Sequence, residues 1–153
     1  MTRRPLAYLH GLASTPQAHK ARVLAARLAP HGIPLIAPDL NVPSFATLTL
    51  TAQVAAVEAA LRPLARAHGP IPVVGSSLGA LVALILHDRA PDLVSELALI
   101  APALGFVGDR LARALGADLA TWQRQGYLPM LHFGDGQFHP LGFSLVADAS
   151  TYD

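Results

Sequence analysis

The chain has 153 residues, of which 52% are hydrophobic and 14% charged, which is enough apolar surface for one compact core. A formal net charge of +1, with 11 Lys and Arg scattered and Arg3-Arg4 only a pair, offers nucleic acid no basic stripe. The absence of cysteine excludes disulfides and thiolate metal sites, and the seven histidines contain no HExxH pattern, so no catalytic metal is expected.

In chain order, Leu6 to Leu9 read as a short apolar strand running into His10 and Gly11. Pro16 to Ala29 is predicted as the first helix, with Val23, Leu24 and Leu28 facing a sheet and His19, Lys20, Arg22 and Arg27 solvated. Ile33 to Ala37 is the second strand. Pro38-Asp39 then opens a long loop through Asn41, Pro43 and Phe45, with Asp39 in a turn or capping role. The helix from about Thr49 to His68 places Leu50, Val54, Val57, Leu61 and Leu64 on one face, with Pro63 kinking or splitting it.

The most informative stretch runs from Pro70 to Asp88. Ile71, Val73 and Val74 form a β-branched strand, and Leu78, Leu81, Val82, Ile85 and Leu86 follow at helical spacing up to the breaker Pro91. Between them lies GxSxG, the pattern of a nucleophile elbow, in which the serine sits on a turn too tight for side chains at the flanking positions. Ser77 is the candidate nucleophile, with Gly75 and Gly79 as the structural elbow; the competing reading is a glycine turn with Ser77 as a helix N-cap. An elbow of this kind takes one oxyanion donor from the residue after the nucleophile, here the Leu78 N–H. A second comes from the loop after an early strand, here the Leu12 N–H, with His10 and Gly11 beside the substrate. The sixteen uncharged residues Ile71 to Leu86 contain Pro72, Gly75, Ser76, Ser77 and Gly79, which suit a strand, elbow and buried helix rather than a membrane span.

Leu97 to Ala101 is an uninterrupted apolar run, the signature of a parallel strand buried on both faces. In the usual strand order it stands at the open edge of a four-stranded sheet. A continuation of the chain, a partner, self-association or the following segment folding over that edge would cover it. Beyond it no further strand is expected: residues 105–153 read as short amphipathic segments broken by glycine, forming a cap rather than an independent domain, after a core of residues 1–104. Phe106, Trp122, Tyr127, Phe133, Phe138 and Phe143 concentrate there, as acyl-pocket lining or as ordinary packing. Asp109 or Asp118 followed by His132 or His139 would obey the order serine, acid, histidine. A glycine-rich loop is a poor platform for a base that must sit about 3 Å from the serine oxygen.

Alternating strands and helices give an α/β, doubly wound parallel sheet. The segments YLHGLASTPQAHKARVLAARL, IAPDL, VVGSSLGALVAL and LALIAPAL together resemble the small bacterial esterases of the YqiA/YcfP type. YLHG, the small polar stretch with Ser14 and Thr15, and Lys20-Ala21 opening a helix are the more specific part. The resemblance implies an α/β-hydrolase-like three-layer sandwich with about four strands present and a helical cap at the C-terminal end. It also implies a cytoplasmic serine hydrolase that acts on acyl esters or thioesters through an acyl-enzyme, with no cofactor. The chain departs from the pattern by reaching Asp153 before a late strand presents the acid and the histidine. Roughly two more strand-helix units are therefore expected beyond it. The alternative is a catalytically incomplete fragment or pseudo-enzyme that binds a ligand or a partner. No leader segment precedes the first strand, so a cytoplasmic location is expected, without nucleic acid or membrane partners.

Overall fold

The computed structural model describes residues 3–105 and 108–152. Four parallel strands, β1 (Leu6–Leu9), β2 (Leu35–Ile36), β3 (Ile71–Ser76) and β4 (Val94–Ile100), form a sheet in the order β2-β1-β3-β4. β3 is central: Ala7 stands opposite Val73, and Gly75 is flanked by Leu9 on one side and Leu99 on the other. The register aligns the carboxyl ends of β1, β3 and β4, and that end of an open α/β sheet is where ligands bind.

Helix α1 (His19–Leu28) begins three residues later than the spacing predicts, and β2 is shortened to two residues because only Leu6–Leu35 and Ala7–Ile36 pair. Among the residues of α1 only Ala21 is buried; Val23, expected to face the sheet, is 44% exposed. Helix α2 (Leu50–His68) is a single helix through Pro63. Pro63 and Ala59, whose carbonyl loses its intrahelical donor, are both on the solvent side, where water replaces the missing bond. Thr49 caps α2 by accepting from the Ala52 amide at 3.1 Å. Helix α3 (Leu78–Arg89) packs Leu78, Val82, Ala83 and Leu86 into the core shared with Val54, Val57 and Leu61 of α2.

The segment after β4 holds helices α4 (Gly108–Ala114) and α5 (Leu119–Gln125), and it also corrects the expectation that no further strand follows. β5 (Tyr127–His132) and β6 (Gln137–Gly142) form an antiparallel hairpin, followed by α6 (Ser144–Ala149). Leu111, Trp122, Leu141, Leu145 and Val146 of this segment are buried in the same core as β1 and β3. Asp148 of α6 accepts from the Thr51 amide at 2.9 Å and from its hydroxyl at 2.7 Å, tying α6 to the start of α2. Phe106 lies outside the described residues. No helix among the described residues is long and apolar enough to cross a membrane.

Candidate active site

The elbow is built by close backbone approach. A Cβ on Gly75 would stand 2.5 Å from Ala80 Cα and 2.7 Å from the Gly79 carbonyl oxygen. One on Gly79 would fall on the carbonyl oxygen of Leu9, so only glycine lets α3 meet β1 and β3 this closely. Between them Ser77 adopts φ 53° and ψ −116°, a left-handed conformation that costs a residue with a Cβ about 1–3 kcal/mol and persists only where its surroundings enforce it. They do so by four hydrogen bonds. The Ser77 amide donates to Ile100 O at 2.9 Å, and its carbonyl accepts from Ala80, Leu81 and Ala103 at 3.0, 3.3 and 3.3 Å. Ser77 occupies the N-cap position of α3, yet its hydroxyl makes no capping bond, which removes the physical basis of the N-cap reading.

The loop after β1 runs directly past the serine. A Cβ on Gly11 would lie 3.4 Å from Ser77 Cβ and 4.0 Å from Ser77 Oγ. Ala13 is fully buried with φ 58°, and its carbonyl accepts from the Phe133 amide at 2.8 Å, so the β5–β6 hairpin clamps this loop. Among the described residues the amides of Leu12 and Leu78 have no backbone acceptor. Leu78 is the first residue of α3, where the N–H has no intrahelical partner and the helix dipole is positive.

His10 does not stand beside the cavity as expected; it is 1% exposed and serves the backbone. The Leu40 amide donates to His10 Nε2 at 3.0 Å, so Nε2 is an acceptor and the proton sits on Nδ1, which donates to Gly11 O at 2.9 Å. Gln53 Nε2 of α2 donates to Leu40 O at 2.8 Å, extending the tether from β1 through the β2 loop to α2. Burial pushes the His10 pKa down, opposed by the Gly11 carbonyl and by Asp39, so the neutral ring is the folded form. Asp39 holds a turn by accepting from the Asn41 amide and side chain, both at 2.9 Å.

A cavity of about 530 Å³ opens at Ser77, with Tyr8, Gly11, Leu12, Leu115, Met130 and Phe133 among its walls. Burial raises the Tyr8 phenol pKa, with the Ser76 side chain acting the other way. Of the aromatic residues singled out in the sequence, Phe133 lines this cavity. Trp122 is instead core, stacked edge-on against Phe143 at 5.9 Å, and Tyr127 and Phe138 lie on the outer face of the hairpin. His19 and Lys20, read as solvated, also line the cavity, as do Leu115 and Met130. The position of HKA after the YLHG loop was the available signal for the first pair.

The acids and histidines that could follow Ser77 lie elsewhere. Asp118 caps α5, its carboxyl pKa held down by the Thr121 side chain and amide. Asp109 sits in the first turn of α4. At the hairpin tip the Asp135 carboxyl pKa is held down by the Gln137 amide and then by His139, whose Nε2 is 2.7 Å away. His132 is buried, with its ring edge-on to Phe45 at 5.1 Å and to His139 at 5.7 Å. None of these five residues lines the Ser77 cavity, and no three His, Asp or Glu side chains among the described residues converge as metal ligands.

A profile described as the uncharacterised protein family UPF0227 matches residues 5–141. Lipase LipV of Mycobacterium tuberculosis is 40% identical over 101 residues, which is 62% of this chain and 38% of LipV. The structure of Est1E from Butyrivibrio proteoclasticus with bound ferulic acid superposes with a TM-score of 0.77 at 19% identity, over 99% of this chain and 62% of that one. The mouse alpha/beta hydrolase domain-containing protein 10 gives a TM-score of 0.71 at 22% identity, over 97% of this chain and 61% of that one. The fold is thus that of the α/β-hydrolases, and the chain spans less than two thirds of the length of each of these proteins.

Proposed function

Since this chain belongs to the UPF0227 family, we propose that it acts as a serine hydrolase of carboxylic esters or thioesters. In this reading Ser77 Oγ bonds to the acyl carbon, and the carbonyl π electrons move onto oxygen, held by the amides of Leu12 and Leu78. Collapse breaks the bond to the alcohol or thiol and leaves an acyl-enzyme, which water then hydrolyses. The Ser77 proton passes to a histidine oriented by a carboxylate, and from it to the leaving group. His132 and His139 line a separate cavity with Asn41, Phe45 and Asp135 and do not border the Ser77 cavity. Each preorganised donor contributes about 3 kcal/mol to the transition state.

The observation that carries the reading is the left-handed Ser77, whose hydroxyl is not spent on a helix cap and which borders the cavity. Intact mass before and after a fluorophosphonate probe tests it: one adduct is expected on Ser77 and none on Ser77→Ala. No adduct, or one that survives the substitution, would sink the nucleophile assignment. A second reading, a ligand-binding module with an unassisted elbow, is supported by the absence from the cavity wall of His132 and His139, the histidines that follow Ser77 in the order a triad takes. It predicts ligand binding without an adduct.

A further inference from the structure

We propose that Lys20 and Arg22, on the first turn of α1, select esters or thioesters that carry an anionic group, a carboxylate or a phosphate, away from the scissile carbonyl. The proposal rests on the reading of Ser77 as the reacting residue and adds to it the chemical class of substrate.

Lys20 and His19 line the same cavity as Ser77. A second cavity of about 540 Å³ shares Ser14, Ala18, His19 and Phe133 with the first and adds Arg22 to its wall. Neither wall contains an aspartate or a glutamate. Among the described residues neither Lys20 nor Arg22 has a carboxylate partner, whereas the exposed Arg62 is paired with Glu58. The first turn of α1 has no acidic residue either, and its N-cap, Ala18, has no side chain that could accept from the free amides.

An uncharged acyl chain would use Leu12, Leu115, Met130 and Phe133 and would leave the cationic side of the two cavities unused. An ester with an anion on its far end would put apolar atoms against those residues and its charge against the only fixed charges on the walls. Lys20 borders the first cavity and Arg22 the second, so each offers one cation to an anionic group at the far end of the substrate, Arg22 as a guanidinium able to grip a carboxylate or phosphate through two parallel bonds. Two cations are too few for a polyanion such as nucleic acid.

Binding of matched pairs to Ser77→Ala, measured by calorimetry, tests this without requiring turnover. One pair is para-nitrophenyl pentanoate and the para-nitrophenyl half-ester of glutaric acid, which differ by a methyl against a carboxylate. The other is S-butyryl pantetheine and its phosphorylated form. The anionic member of at least one pair is expected to bind roughly fivefold tighter at low salt, with the preference fading at about 0.5 M salt. The pair that shows it identifies carboxylate or phosphate. Adding K20Q and R22Q should bring the ratio to about one, and adding Arg27→Gln, on the same helix but off both cavity walls, should keep it. Equal binding within both pairs, or a preference that survives K20Q/R22Q, would overturn the proposal. Wild-type kinetics on the same compounds separate the two readings. Anion preference without turnover of any compound would refute the hydrolase and leave the anion site standing; turnover of both members without preference would do the reverse.

Discussion

Strand β3 meets β1 on one side and β4 on the other, and the two neighbourhoods differ in how much apolar surface they hide. Toward β1, Ala7 and Leu9 are completely buried, Gly79 touches the Leu9 carbonyl, and the His10–Leu40–Gln53 chain locks the loop that carries Leu12. Toward β4, Leu99 and Ile100 are 36% and 42% exposed, and Val23 on the nearby helix is 44% exposed. A residue in an unfavourable backbone conformation can be held only where many contacts agree. The dense side holds α3 against β1 at Gly79 and so fixes where the helix after Ser77 must start. The sparse side contributes two backbone bonds to it and little packing.

That contrast can be broken most severely at Gly79. Gly79→Ala is expected to cost about 3 kcal/mol or more, because the new methyl meets backbone rather than a movable side chain. A melting temperature equal to wild type would show that β1 and α3 are not in contact there. His10→Ala comes next, at about 2 kcal/mol, since it leaves the Leu40 amide unpaired in the interior.

This site also predicts a pH dependence. The folded-state pKa of His10 lies below its unfolded value, so the unfolded chain takes up a proton first as pH falls. The stabilisation is complete above about pH 6.5, the unfolded value, and is lost as pH drops through the folded pKa. Urea unfolding at a series of pH values should show a decline that is shallower in His10→Ala; identical slopes would remove His10 as its source.

A smaller effect sharpens the comparison at the serine itself. Ser77→Gly should be more stable than Ser77→Ala by about 1 kcal/mol, because only glycine adopts φ 53° without cost. The reverse order would mean that the turn is relaxed. On the sparse side, Val23→Glu should stay within about 0.5 kcal/mol of wild type. A loss of 2 kcal/mol or more, measured the same way, would show this side to be as tightly packed as the other.

The same division governs how much could be read from the residues. β3, the GxSxG turn and α3 were legible because a β-branched run, two glycines and a helical spacing agree with each other and with the tertiary structure. Gly11 and Leu12 were legible only as a loop after a strand; that Gly11 touches Ser77 depends on the parallel register between β1 and β3. Val23 was misplaced because helical periodicity reports that a face is apolar, and only the sheet opposite decides whether it is covered.

The β5–β6 hairpin was missed for a local reason. Pro129 and Pro140 stand directly opposite one another in it, and proline argues against a paired strand unless its missing N–H falls on an outer edge. The signal that could have found it was the turn pair Asp135-Gly136, and Gly136 does take the positive φ of 71° that such a pair favours. His19 and Lys20 are exposed, as charge on a helix usually is, and they also border the cavity. Their place on the cavity wall follows from where α1 starts, which sequence fixes poorly.

The Ser77 amide has one partner, the carbonyl of Ile100 at the end of β4, and the Ala103 amide returns a bond to the Ser77 carbonyl. The protection of this single N–H against exchange with deuterated water therefore monitors how often the last turn of the edge strand lets go. A ligand, an antibody fragment or a designed strand that pairs with the side of β4 that meets no strand among the described residues will register at Ser77 as slower exchange, without entering the cavity.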